Sequence, residues 1–217
     1  MANLKILTQQ LLQSKIPIVK RSGKIMDIGC GDGSFITSYM QPKELVGVDL
    51  NSSEKNKFLD NLRINNTNGY FTNSLNNLSE HEQNSFDLIT TIGVFELNNL
   101  QDVSAIFKIS REFLNENGII FCIYYPWSYL SPIYLPLLFK GGRSKYETET
   151  GLTVYSHKLK NIKKIAADSG LKVLETGCMN PYPSLFWRSN KLSKWWFNIR
   201  SKKDVFCYGG RYIVAKK

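Results

Sequence analysis

Three glycines at alternate positions carry the strongest chemical signal in the chain. They lie in Ile25-Met26-Asp27-Ile28-Gly29-Cys30-Gly31-Asp32-Gly33-Ser34-Phe35, where an apolar run meets the glycines and passes into an amphipathic stretch. Glycine is needed where the backbone turns with positive φ, or where a ligand must reach the main chain without a Cβ in the way. A loop built this way after a first strand leaves room above the strand ends, where open parallel sheets bind their ligands. A second requirement is met at Val46-Gly47-Val48-Asp49-Leu50, a strand ending in a carboxylate 16 positions after Gly33. A carboxylate there accepts hydrogen bonds from both hydroxyls of a ribose and selects a nucleoside without a 2′-phosphate. Asp27, two residues before the first glycine, favours a cationic ligand group and would repel a pyrophosphate.

These residues resemble the class I S-adenosylmethionine-dependent methyltransferases. The family's first motif, acidic-x-Gly-x-Gly-x-Gly, stands here as Asp27-Ile28-Gly29-Cys30-Gly31-Asp32-Gly33. Its glycine spacing differs from the Gly-x-Gly-x-x-Gly of dinucleotide-binding loops. The resemblance implies S-adenosyl-L-methionine as cofactor and S-adenosyl-L-homocysteine as product. It places Asp27, Gly29, Gly31, Gly33, Asp49, Leu50, Asn73, Ser74 and Ile92 around that cofactor. The chain departs from the family at Phe71-Thr72-Asn73-Ser74-Leu75, where an acid usually holds the adenine amine. The carbonyl of Asn73 can still accept from that amine, although the same residues also read as a simple Asn-Ser turn. The stretch Phe86 to Leu97 is similar to the family's fourth strand and its following loop, with Glu96-Leu97 where many small-molecule members carry Glu-His. Arg111 to Gly118 is similar to the turn before the fifth strand, and the likeness spans about residues 24–125. The subgroup it suggests is the small-molecule and quinone-biosynthesis type.

Methyl transfer from a sulfonium is a one-step displacement, so holding nucleophile and methyl in line supplies most of the acceleration. A base is optional and becomes useful for a hydroxyl acceptor. Three residues are candidates for catalysis. Glu96, in the loop after the fourth strand, can orient acceptor or cofactor or cap the next helix. Tyr124, at the end of the fifth strand, is placed to line an acceptor pocket, and His157 follows Ser156, read as a helix cap, where it can face the site or the solvent. His81 lies in a polar Ser-Glu-His-Glu-Gln stretch and reads as a surface residue. Cys30, Cys122, Cys178 and Cys207 show no CxxC pairing, so neither a metal site nor a disulfide framework is expected and a reducing cytoplasm suits them.

The elements that must position these groups alternate between short apolar runs and helical periodicities. Strands are expected near 24–28, 44–48, 69–72, 86–91, 118–124, 171–176 and 211–215. Helices are expected near 34–40, 53–65, 103–114 and 156–169, with Asn115 to Gly118 as a turn between helix and strand. Such alternation predicts an α/β fold with a mostly parallel, doubly wound sheet and helices on both faces. The resemblance implies a Rossmann-like methyltransferase sheet of seven strands whose last strand is antiparallel. At 217 residues the chain is read as one domain, 1–217, with a short amino-terminal helix at about 3–14 and substrate-side cover segments at about 126–155 and 178–206. Met1 to Gln13 is amphipathic and lacks a signal peptide's continuous apolar core.

Charge is unevenly placed. Residues 1–139 hold 11 Lys/Arg against 13 Asp/Glu, a net of −2, whereas residues 140–217 hold 17 against 5, a net of +12. Clustered positive charge attracts phosphates, nucleic acid or an anionic membrane face, and it also serves as an ordinary solvated surface. Gly118 to Phe139 has no charged side chain, but Pro126, Pro132 and Pro136 argue against a membrane span. Basic and aromatic residues interleave at Leu185-Phe186-Trp187-Arg188 and Lys194-Trp195-Trp196-Phe197, a pattern suited to a membrane interface. The expected acceptor is therefore a small or lipid-linked molecule, anionic in one version, methylated on oxygen, with a peripheral place at the inner membrane face. A nucleic-acid acceptor is a second reading. It fits less well, because Thr91-Ile92-Gly93-Val94 stands where base-amine methyltransferases usually have Asn/Asp-Pro-Pro-Tyr/Phe. A non-catalytic cofactor-binding module is the third.

Overall fold

The computed structural model describes residues 2–124, 145–147, 151, 153–155, 157–178 and 210–217. In chain order the elements are α1 (Ala2–Lys15), α2 (Ile18–Arg21), β1 (Lys24–Ile28), α3 (Ser34–Met40), β2 (Glu44–Val48), α4 (Lys55–Ile64), β3 (Asn68–Thr72), β4 (Phe86–Ile92), α5 (Leu100–Phe113), β5 (Leu114–Tyr124), β6 (Lys145–Glu147), β7 (Thr153–Tyr155), α6 (Leu159–Asp168), β8 (Lys172–Cys178) and β9 (Arg211–Lys216). Seven strands form one sheet in the order β3-β2-β1-β4-β5-β9-β8, and β6 pairs with β7 in a separate ladder. β1 to β5 pair in parallel, while β9 runs antiparallel to both β5 and β8. The expected doubly wound sheet of seven strands, its last strand antiparallel, is the observed one.

Two apolar layers explain why the strands read as short runs with little polar alternation. On one face Leu12 of α1, Ile36 and Met40 of α3, and Phe58 and Leu62 of α4 pack on Ile25, Leu45, Leu88 and Phe121. On the other, Val103, Ile106 and Phe107 of α5 and Ile162 and Ala166 of α6 pack on Met26, Val46, Ile89 and Ile120. A strand covered on both sides must be apolar on both sides. Each fully buried Phe, Leu or Ile contributes about 1.5–3 kcal/mol relative to exposure. The strand order reverses between β1 and β4, so a crevice opens at their carboxyl ends.

Two local expectations are corrected. Asn115 to Gly118 does not end a helix and release a new strand; β5 already begins at Leu114, and the four residues bulge out of its pairing with β4. The register passes from Phe86 opposite Leu114 to Leu88 opposite Ile119. The Asn115 side chain donates to Asp87 at 2.8 Å and accepts from the Asn117 amide at 3.0 Å, so the turn-forming side chains hold the bulge inside the strand. α6 starts at Leu159 with Lys158 in the cap position, later than the start expected near residue 156. Ser156 itself lies outside the described residues, as do residues 126–144 and 179–206, which hold most of the two expected cover segments.

Candidate cofactor site at the carboxyl ends of the strands

The loop from β1 to α3 is held from beneath by the neighbouring strand. The amides of Gly29 and Cys30 donate to the Val48 carbonyl at 2.7 and 3.3 Å, and the Gly33 amide donates to Cys30 O at 2.9 Å. Gly29, Gly31 and Gly33 all have positive φ, 76°, 52° and 68°. They are not equivalent in space. A Cβ on Gly29 would lie 2.3 Å from Cγ2 of Val94, and one on Gly33 would lie 2.5 Å from the Phe58 ring, so those two glycines admit protein side chains. Gly31 has nothing within 4 Å of that position. Of the three main-chain positions expected to be bare, only Gly31 faces open space, because packing fills the other two.

Asp49 ends β2 immediately beside this loop. Its Oδ2 accepts from the Gly31 amide at 2.8 Å and its Oδ1 from the Asn51 amide at 2.9 Å. Each carboxylate oxygen takes two hydrogen bonds, so both oxygens retain a position for a ligand hydroxyl. The next strand continues the pattern: the Asp49 amide donates to Thr72 O at 3.1 Å, which brings Asn73 alongside Asp49. Asn73 is exposed, and its Oδ1 accepts from Nδ2 of Asn77 at 2.9 Å. Ser74 caps the short 3-10 turn Leu75–Asn77, accepting from the Asn76 amide at 3.2 Å. Leu50 is 90% exposed, an unusual state for a leucine and one that offers an apolar surface beside Asp49.

Asp27 is buried beneath the loop and accepts from the Thr90 hydroxyl at 2.6 Å. Burial pushes its carboxyl up to about 7; the Thr90 hydrogen bond opposes the rise and the nearby Asp49 charge adds to it. Burial and the surrounding carboxylates likewise raise the Cys30 thiol, which stays protonated and inert.

Across the crevice, Ile92 ends β4 and Gly93 follows with φ 73° and nothing within 4 Å of its Cβ position. Gly93 was not singled out by sequence. The available signal was a glycine directly after a buried strand, the same transition as Ile28 to Gly29. The chain then enters the 3-10 turn Phe95–Leu97, in which Phe95 and Glu96 are buried. Glu96 does not cap α5. That role belongs to Asn99, whose side chain accepts from the Gln101 and Asp102 amides while Asp102 returns a bond to the Asn99 amide.

Tyr124 is fully buried, its ring 5.9 Å from that of Phe95, and it belongs to the core. His157 is also buried, not a surface residue, with Nε2 at 2.7 Å from Phe95 O and 2.9 Å from Asn98 O. Two carbonyls can only accept, so Nε2 carries the proton and is unavailable as a base. The three candidates for catalysis thus converge on one turn, after β4 and beside β5. Among the described residues no group of three or more His, Cys, Asp or Glu could hold a metal ion, and no helix is long and apolar enough to cross a membrane.

Residues 5–176 match the family model described as a methyltransferase domain. Comparison with curated proteins yields no sequence match. Among solved structures, the chain is similar to an S-adenosylmethionine-dependent methyltransferase of Methanosarcina mazei, with 15% identity, TM-score 0.67, and 95% of this chain and 96% of that one covered. It is similar to the geranyl diphosphate C-methyltransferase of Streptomyces coelicolor in complex with magnesium, geranyl diphosphate and S-adenosyl-L-homocysteine, with 14% identity, TM-score 0.66, and 99% and 80% covered. A third is the magnesium protoporphyrin IX methyltransferase of Synechocystis with bound S-adenosylhomocysteine, with 17% identity, TM-score 0.62, and 98% and 84% covered. The family match over most of the chain, on a sheet whose crevice pairs a bare glycine with an open carboxylate, makes this protein a member of the class I S-adenosylmethionine-dependent methyltransferases.

Proposed function

We propose that the chain transfers the methyl group of S-adenosylmethionine to a small-molecule or lipid-linked acceptor, on oxygen. The observation that carries the cofactor half is the pairing of Gly31, with open space at its Cβ position, and Asp49, with an acceptor position left on each oxygen. In this reading Asp49 takes the two ribose hydroxyls and Leu50 lies against the adenine. Asn73 and Ser74 edge the base, and Gly31, Ile92 and Gly93 admit the chain that bears the sulfur. Gly29 and Gly33 act by letting Val94 and Phe58 seat the loop. Asp27, ionised, favours the ligand's ammonium group from below.

The bound sulfonium supplies an electrophilic methyl and a neutral thioether leaving group. The protein's own part is to orient. The proton of an acceptor hydroxyl passes to solvent as the methyl arrives, so a dedicated base is not required, and the protonated Nε2 of His157 does not serve as one. Among the described residues, Glu96, in the turn after β4, is the candidate to orient an acceptor hydroxyl.

Support for the acceptor class comes from three sides. Gly118 to Phe139 is uncharged and aromatic, residues 140–217 carry a net +12, and the structural neighbours include enzymes acting on geranyl diphosphate and magnesium protoporphyrin IX. An anionic or lipid-linked molecule meets both features, with a peripheral contact on an anionic membrane as the extended form of the proposal. Transfer of tritium from methyl-labelled cofactor to candidate acceptors tests it. Label appearing in a prenyl phosphate, quinol or lipid-linked fraction supports the reading. Label confined to nucleic acid would move the assignment to the second class, and binding without any transfer would leave a cofactor-binding module.

A further inference from the structure

The turn after β4 touches the cofactor loop on one side and the segment leading into α6 on the other. Val94 begins that turn, and its Cγ2 occupies the space a Cβ on Gly29 would need, 2.3 Å from it. The Val94 carbonyl accepts from the Leu97 amide at 3.0 Å and from Nδ2 of Asn98 at 2.7 Å. The Asn98 amide donates to Phe95 O at 3.2 Å, closing the turn on itself. His157 then fastens the whole unit: its single Nε2 proton is shared between Phe95 O and Asn98 O, at 2.7 and 2.9 Å, across about sixty residues of sequence. The imidazole is 4% exposed and stacks on Tyr155 of β7, ring centroids 6.2 Å apart and planes 5° from parallel.

We infer that His157 is a positioning residue for the cofactor site, acting through Asn98 and Val94 to keep Val94 seated on Gly29. A donor on the β7–α6 connection fixes a turn whose first side chain fills the notch in the glycine loop, so the acceptor side of the crevice and the cofactor loop move as one unit. A bifurcated bond to two carbonyls of one turn is suited to this, because it fixes both ends of the turn with one rigid ring. The coupling is reciprocal: whatever orders the glycine loop must also tighten the turn. Neither the family motif nor the charge pattern contains this connection, since its parts lie at positions 29, 94, 98 and 157.

The inference rests on the cofactor reading and is tested with S-adenosyl-L-homocysteine as the probe, by calorimetry on the full chain. Binding by the wild-type protein is established first, and its absence would overturn the cofactor reading itself. His157→Phe keeps a planar ring and removes the donor. It should weaken binding about tenfold, in line with the range seen for couplings between neighbouring elements. His157→Gln, whose amide can still donate to the two carbonyls, should stay within about threefold of wild type. Equal affinity in the Phe variant and wild type overturns the inference, as does an equal loss in both variants. Amide exchange on the wild-type protein gives the same test without a substitution that could impair folding. Saturation with S-adenosyl-L-homocysteine should slow exchange at Leu97 and Asn98, whose amides close the turn. Unchanged exchange at both amides overturns it.

Discussion

Two aspartates at opposite ends of the sheet have nearly the same hydrogen bonding and opposite surroundings. Asp87, near the amino end of β4, accepts from the Lys24 amide at 2.9 Å on Oδ2 and from Asn115 at 2.8 Å on Oδ1. Asp49, at the carboxyl end of β2, accepts from two backbone amides at 2.8 and 2.9 Å. Each has a glycine neighbour. A Cβ on Gly23 would lie 2.1 Å from Oδ2 of Asp87, whereas one on Gly31 would meet nothing within 4 Å. Close by Asp87, Lys24 pairs with Glu44 at 3.0 Å and Glu82 at 2.5 Å, so that end is closed electrostatically as well. Hydrogen-bond count does not distinguish these two carboxylates. The space beside them does.

Substitution sharpens the contrast. Asp49→Ala should weaken S-adenosyl-L-homocysteine binding by at least about tenfold, through loss of a charge-assisted double hydrogen bond, while leaving the protein folded. Unchanged affinity by calorimetry would remove Asp49 from the site. Asp87→Ala should do the reverse. It strands the Lys24 amide and the Asn115 side chain, at a cost of about 1–3 kcal/mol in denaturant unfolding. Once folded, that variant should bind the nucleoside as wild type does.

The glycines give a smaller, parallel pair. Gly23→Ala must displace Asp87 and should lower stability without touching affinity in the folded protein. Gly31→Ala meets no atom and pays only for its left-handed backbone, about 1 kcal/mol. Its methyl group projects into the open space where the cofactor is proposed to lie, so its main effect should be on affinity. Similar thermal shifts for the two variants with identical affinities would break the comparison.

The smallest expected effect is a pH dependence. Asp27 is raised to about 7 by burial, so the folded protein holds a proton there that the unfolded chain releases at lower pH. Its contribution to stability is therefore greatest in mild acid and declines as pH rises toward about 7. Cofactor binding has the opposite sign, because the ligand's ammonium favours the ionised carboxylate. Affinity for S-adenosylmethionine should rise severalfold between about pH 6 and 8 in wild type and lose that slope in Asp27→Asn. A flat wild-type profile would show that Asp27 does not sense the ligand's charge.

Much of this architecture is legible in the sequence. β1, β2 and α3 have the limits read from the apolar runs and the glycine loop, because strands buried on both faces and a Gly-rich turn leave strong local signatures. Asn115 to Gly118 misled for a physical reason: side chains that favour turns also stabilise a bulge, and only the pairing with β4 distinguishes the two. For His157 the sequence leaves site and solvent both open, since a polar residue at a helix start gives no local sign that two carbonyls from about sixty residues earlier will surround it.

The sequence by itself determined the sheet's character, the loop with positive φ and the carboxylate beside it, because each depends on residues within one or two turns of chain. Only the tertiary structure decided which glycine faces open space and which is filled by Val94 or Phe58. It also decided that Tyr124 belongs to the core and that Nε2 of His157 meets two carbonyls of one turn. Those outcomes depend on which atoms occupy the space next to a residue, and that space is filled by parts of the chain far away in sequence.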